Sequence, residues 1–332
     1  MKRIGYIDAL RGLTMILVVF SHLYIPNRTI INQLFINFRM PLFFFISGLI
    51  SMRIDQEWNG GELRRRLGSK ARTLLLPILI FGTLYSFARG FSFDEFIFHE
   101  RKLGYWFTLV LFEMLSIYYT LRYTLSRRAD TSHLGRAVVI LFILAVALSF
   151  LWSERWTEAP LPTLFSFSCL LRFLPFFTFG LMAGYYRKRF DRLVDYWSVY
   201  LGAIVLFGVL SWARMTWDDG IDVVLCLLVG FAGIVMMYGT FRRLHNHLEA
   251  TTLIGRSMQY VGRHTLEVYV IHYFLLIGFG AMLQPYVAAS AFPLSPAVIG
   301  LPLAVAIAVA SLGIGWLLCR SKFIAYYALG KR

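Results

Sequence analysis

The sequence predicts an all-α integral membrane protein, a bundle of about ten transmembrane helices with both termini cytoplasmic. Three observations carry this. The 332-residue chain is 58% hydrophobic and only 15% charged, whereas soluble domains are roughly 45–50% apolar and about 25% charged. Its apolar residues run in continuous stretches rather than alternating, which fits helices and not a β-barrel. Its basic residues crowd into alternate connecting segments, as the positive-inside rule requires.

A helix needs about 20 mostly apolar residues to cross the hydrocarbon core. The candidate spans are 7–25, 39–53, 73–90, 104–122, 136–153, 167–186, 196–214, 221–241, 265–287 and 296–319. The second is the shortest. No long polar segment separates them, so residues 1–332 read as a single membrane domain with no separate soluble domain. With the N-terminus inside, 24 of the 33 Lys and Arg residues fall on the cytoplasmic side and seven outside, with Arg11 and Arg172 inside spans. The segment between the second and third spans is the most basic, with Arg53, Arg64, Arg65, Arg66, Lys70 and Arg72. This bias accounts for most of the +15 net charge without any nucleic-acid partner. The basic start at Met1–Arg3 resembles a secretory signal. Asp8 and Arg11 interrupt the apolar run and no small-residue cleavage site follows, so it reads as a retained helix.

Cys169, Cys226 and Cys319 are far apart and inside apolar runs, which fits neither a disulfide framework nor a zinc site. His245 and His247 form the only close histidine pair, too few ligands for a metal. The outer segments 91–102 and 152–159 mix acidic, basic and aromatic side chains. Trp152, Trp156, Trp212 and Trp217 fit an interfacial aromatic belt, the alternative being a surface that stacks on a sugar ring.

Chemistry concentrates in ionisable residues within the spans, where they are expensive and therefore functional candidates by default. The first span, IDALRGLTMILVVFSHLYI, carries Asp8, Arg11 and His22. Arg11 and His22 lie on nearly the same helix face, roughly 16 Å apart along the axis. The other reading has these residues at the two interfaces, snorkelling to the headgroups. Arg39 precedes MPLFFFISG on the same side as His22 and could face an anionic or polar substrate. Pro41 there suits the first turn of a helix, and Ser47 and Gly48 allow close helix approach. Arg72, where the chain enters the bilayer, could clamp a phosphate, with Lys70 and Arg66 nearby. Glu113 lies mid-span, with His22 or Arg11 as possible partners, and Tyr119 lies six residues on. Glu267 and His272 place further ionisable groups in or at the edge of the ninth span.

The stretches RIGYIDALRGLTMILVVFSH, MPLFFFISG, KARTLLLP, WFTLVLFEML, LPFFTFGLMAG and TLEVYVIH occur in the order of the membrane acyltransferase-3 family, which the chain resembles over nearly its full length. The first is similar to the family's arginine–ten residues–histidine motif, and the second resembles the fucose 4-O-acetylase-like branch. The resemblance implies a ten-helix enzyme of the bacterial inner membrane. Such an enzyme moves an acyl group, usually acetyl from acetyl-CoA, onto a hydroxyl of a cell-surface or exported glycan, with no metal. It implies a catalytic role for His22, with Arg11 and Glu113 in the catalytic group; Asp8, three residues from Arg11 on the same helix, joins that group by orienting or neutralising Arg11, or caps the helix start. Arg72, Arg66 and Lys70 would bind the acyl-CoA, and Arg39 and Tyr119 the acceptor. Relatives often carry two arginines three apart before the third span's proline. Here the first of those positions is Ser69, and its role passes to Arg66 or Lys70. The chain shows no counterpart of the esterase-like domain fused in some relatives, so single-step transfer is expected. The alternative reading is a transporter of a glycan or small anion, with the intramembrane Arg, Glu and His as its relay.

Overall fold

The computed structural model describes residues 4–23, 30–53, 58–126, 132–151, 159–216, 223–288 and 295–331. Its helices are α1 (Gly5–Ser21), α2 (Ile30–Ser51), α3 (Gly60–Ala88), α4 (Phe93–Phe98), α5 (Trp106–Ser126), α6 (Ser132–Ser149), α7 (Pro160–Leu164), α8 (Phe167–Tyr185), α9 (Arg187–Asp195), α10 (Trp197–Thr216), α11 (Val223–Arg243), α12 (Leu253–Arg263), α13 (Thr265–Ala288), α14 (Ser295–Leu318) and α15 (Lys322–Leu329). Among the described residues there is no strand. A helix overlies each segment read as a span. Among the described residues six helices are long and apolar enough to cross a membrane: α2, α3, α8, α10, α11 and residues 297–318 of α14. Large apolar side chains stand outward on α10 (Val205, Val209), α6 (Ile140, Ile143) and α14 (Val309, Leu317). Water does not leave such faces uncovered on a monomer, whereas lipid covers them. The chain is a multi-pass membrane protein. Trp212 is exposed near the end of α10, as a belt residue would be. Trp152, Trp156 and Trp217 lie outside the described residues.

Two helices start at least nine residues earlier than the hydropathy pattern suggested. α2 begins at Ile30, which puts Pro41 in the helix interior and Arg39 inside the helix rather than just before it. A mid-helix proline forfeits one backbone bond. Packing of the extra turns offsets that loss: Phe35 meets Phe20 edge-on at 5.3 Å and Phe38 meets Phe207 at 5.8 Å. α3 begins at Gly60, so the arginine-rich stretch is helical rather than a loop. Asn59 caps it, accepting from the Glu62 N–H at 2.8 Å. Pro77 then precedes a π-helical turn over Ile78–Gly82, since a proline without its N–H and clashing with the preceding turn favours a widened one.

The chain forms two compact units, Met1–Ile46 with Lys188–Leu317, and Ser47–Arg187 with Leu318–Arg332. In the first unit α1 packs most extensively on α12, and also on α11 and α13. Two glycines permit that crossing. A Cβ on Gly12 would stand 2.1 Å from the Met258 carbonyl oxygen, and one on Gly262 1.8 Å from that of Asp8. The near end of α1 is clasped by a polar chain: Tyr6 and Tyr238 hydroxyls lie 3.1 Å apart, and Tyr238 donates to Asp191 at 2.6 Å. In the second unit α6 packs on α8, and α3 carries α5 and α15. The small residue at Gly48 does allow close approach, since a Cβ there would meet the Phe177 carbonyl oxygen at 2.1 Å.

Candidate active site

In the first unit, α1 ends at Ser21 and His22 caps it, its backbone N–H bonding the Val19 carbonyl at 3.0 Å. The imidazole is half-buried. Its Nε2 lies 3.2 Å from the Tyr273 hydroxyl, and the two rings are 5.0 Å apart. The ring of His272 is 5.5 Å from that of His22. His272 is fully buried. Its Nδ1 lies 2.9 Å from the Val268 carbonyl one turn back, and its Nε2 has no hydrogen-bond partner. Arg39 interacts electrostatically with both His22 and Tyr273, and its Nη1 is buried without a hydrogen-bond partner. α1, α2 and α13 therefore bring two histidines, a tyrosine and a guanidinium into one polar cluster.

Asp8 and Arg11 serve the frame around that cluster. The Arg11 guanidinium donates to the Thr265 hydroxyl at 3.1 Å, tying α1 to the start of α13. Asp8 pairs with Arg263 of α12 at 3.3 Å. Glu267 accepts from the His264 ring, with Nδ1 at 2.7 Å from Oε1.

In the second unit, Arg53, Arg65, Arg66, Ser69, Lys70 and Tyr119 line a cavity of about 300 Å³. Helical spacing puts residues 62, 65, 66, 69 and 70 on one face of α3. Glu62 anchors the face, accepting from Arg65 at 2.7 Å and also from Arg66. Arg66 stacks over the Trp58 ring at 4.6 Å, and Trp58 in turn lies 5.3 Å from Tyr119. Five cationic or hydroxyl-bearing side chains around one cavity, with Tyr119 as a further donor, suit a polyanion such as a phosphate group. Arg72 is not among the lining residues. Six positions beyond Arg66 lie about 240° round the helix, and there its guanidinium sits 4.8 Å over the Tyr326 ring of α15.

Glu113 has both carboxylate oxygens buried without hydrogen-bond partners, and the charges acting on it are Lys102 and Glu100. Lys102 is buried, and its ammonium donates to the His99 carbonyl at 3.0 Å and to the Thr163 carbonyl. Burial pushes Lys102 down to about 8, with the Glu100 and Glu113 carboxylates pulling the other way. Burial raises Glu100, whose Oε1 accepts from the Cys169 backbone N–H at the start of α8, 3.3 Å away. Lys102 and Leu103 adopt positive φ, 45° and 50°, a costly conformation for such side chains that turns the chain into α5.

Residues 4–320 match the family described as the acyltransferase domain. The chain belongs to the acyltransferase-3 family. No curated protein and no solved structure shows a significant match to it. This acyltransferase is thereby an enzyme of the membrane, and the family decides between the enzyme and transporter classes that composition alone left open. Of the residues singled out in its sequence, the structure gathers His22, Arg39 and His272 in the first unit, and Arg66, Lys70 and Tyr119 in the second. It gives Arg72, Glu113 and the pair Asp8 and Arg11 other neighbours. Tyr119 lies with the cations of the cavity. Sequence reasoning missed Tyr273, although it adjoins His272, and it read Arg53 and Arg65 of this acyltransferase only as topology charges. The α3 periodicity of Arg65, Arg66, Ser69 and Lys70 was the available signal for the cavity.

Proposed function

We propose that the protein is an O-acyltransferase of the bacterial inner membrane, with about ten spanning helices and both termini in the cytoplasm. It moves an acetyl group from acetyl-CoA to a hydroxyl of a cell-surface or exported glycan. The observation that carries this is the His22–Tyr273 contact beside His272, in a chain that matches an acyltransferase domain over nearly its full length. His22 acts as general base. It takes the proton of the acceptor hydroxyl as that oxygen attacks the thioester carbonyl carbon. The C–O bond forms, the C–S bond breaks, and the departing thiolate recovers the proton from the imidazolium. An acetyl-histidine intermediate is the variant mechanism.

The phosphates of acetyl-CoA are read as ligands of the cavity lined by Arg53, Arg65, Arg66, Lys70 and Tyr119, with Arg72 beside it in sequence. Arg11 and Asp8 act by holding α1, and hence His22, against α13 and α12. Glu113 supplies buried acceptor oxygens for a hydroxyl-bearing substrate. The test is twofold. Mass spectrometry of surface glycans with and without the protein is expected to show loss of an acetyl mass. His22→Ala, still monodisperse when purified, is expected to lose transfer from acetyl-CoA by at least about 100-fold. Unchanged glycans, or full transfer by His22→Ala, would overturn the reading.

A further inference from the structure

Acyl transfer needs a second element besides the base, because the thioester oxygen becomes an anion as the acceptor adds. A fixed positive donor at that point is commonly the largest single contribution to the rate. Arg11, the arginine of the first-span motif, is poorly placed for this. Eleven helical residues separate it from His22, roughly 16 Å along the axis, and its guanidinium is engaged with Thr265. An oxyanion formed next to His22 lies beyond its reach.

Arg39 stands where Arg11 does not. On α2 it is one turn beyond Phe35, and Phe35 packs edge-on against Phe20, two residues before His22. That face of α2 therefore looks onto the end of α1 that carries the histidine. Arg39 interacts with both His22 and Tyr273, and among the described residues no carboxylate pairs with it. Its Nη1 is buried and unsatisfied. A buried guanidinium nitrogen left without a partner is costly unless a ligand group completes it. The neighbouring Asn37 does not, because its side chain is committed to Ser211 and Arg214 of α10. Tyr273 holds one ring nitrogen of His22 and so fixes the direction from which the imidazole meets the substrate.

We propose that Arg39 is the catalytic cation of this acyl transfer: its unpaired guanidinium nitrogen receives the charge that builds on the thioester oxygen while His22, oriented by Tyr273, takes the acceptor's proton. The inference rests on His22 being the base. Electrons move from the acceptor oxygen to the carbonyl carbon and onto the carbonyl oxygen beside Arg39. They return as the C–S bond breaks and the thiolate leaves. Arg39 exchanges no proton and meets the intermediate more strongly than the neutral thioester, so its contribution falls on kcat. A residue that merely anchored the acceptor, the role its position in the sequence suggested, would act on the acceptor KM instead.

The experiment uses the full chain in nanodiscs with acetyl-CoA as donor and a panel of methyl glycosides as acceptors. Released CoA and acetylated glycoside are both measured, with hydrolysis by water as the acceptor-free arm. Arg39→Met is expected to lower kcat about 100- to 1,000-fold in glycoside transfer and hydrolysis alike. Both KM values should stay within about 3-fold, and Arg39→Lys should recover about 10-fold of the loss, since a compact charge replaces the fork only in part. Arg39→Gln gives the same readout if the Met variant does not fold. A raised glycoside KM with kcat intact, or hydrolysis left at the wild-type rate, would overturn the assignment of Arg39. Activity retained by His22→Ala in the same preparation would instead remove the base on which it rests, so the two failures are separable.

Discussion

At the scale of the residue, His22 could be singled out from the sequence because an ionisable group within an apolar run declares itself. Arg39 and His272 stood out in the same way, but Tyr273 did not. Tyr273 is an ordinary apolar-segment tyrosine until α13 places its hydroxyl 3.2 Å from Nε2. Lys102 reads as an outer-loop charge until the fold buries it against two backbone carbonyls. Arg66 and Lys70 carried a sequence signal as cations near a membrane entrance, and the cavity they line adds Arg53, Arg65 and Tyr119. Each charged hydrogen bond to a phosphate is worth about 1.5–3 kcal/mol. Replacing Lys70 or Arg66 by Ala should therefore raise the KM for acetyl-CoA roughly 10-fold or more, with kcat within about 2-fold. Steady-state kinetics on the purified variants decide this. An unchanged KM in both would move the donor phosphates elsewhere.

At the scale of the element, hydropathy located the apolar body of each long helix but not its ends. α2 and α3 both extend into polar sequence, one held by aromatic packing around Phe35 and Phe38, the other by the Asn59 cap. α12 was not anticipated as a separate element, yet it is the helix on which α1 packs most extensively. The contact depends on glycine at two positions where the backbones touch. Gly262→Ala puts a methyl carbon 1.8 Å from the Asp8 carbonyl oxygen. Overpacking of this kind costs about 1–3 kcal/mol. Gly68→Ala, on α3, has nothing within 4 Å of its new Cβ, and gains up to about 1 kcal/mol of helix propensity. Thermal melts in detergent should separate the two in opposite directions, and equal melting would contradict the backbone crossing of α1 and α12.

At the scale of the whole molecule, the alternating positive charge predicts a cytoplasmic start for α3 and an outer location for the α4 segment. A cysteine replacing Phe93, which is exposed on α4, should react with an impermeant maleimide in intact spheroplasts. One replacing the exposed Arg64 should react only after permeabilisation, and the reverse pattern would invert the orientation. The chain forms two compact units whose boundary falls inside α2, between residues 46 and 47. Nothing in local composition marks such a point, because a helix carries the same periodicity through it. The sequence by itself determined the helical membrane class, the bodies of the long helices and the candidacy of His22, since these follow from local hydropathy, charge bias and one out-of-place ionisable residue. The tertiary structure alone decided which polar groups surround His22, that Arg66, Lys70 and Tyr119 share a cavity without Arg72, and that Arg11 and Asp8 brace α1. Those are distances between residues far apart in the chain, 251 positions for His22 and Tyr273, set by close-packed crossings such as Gly12 on Met258, and local sequence does not encode them.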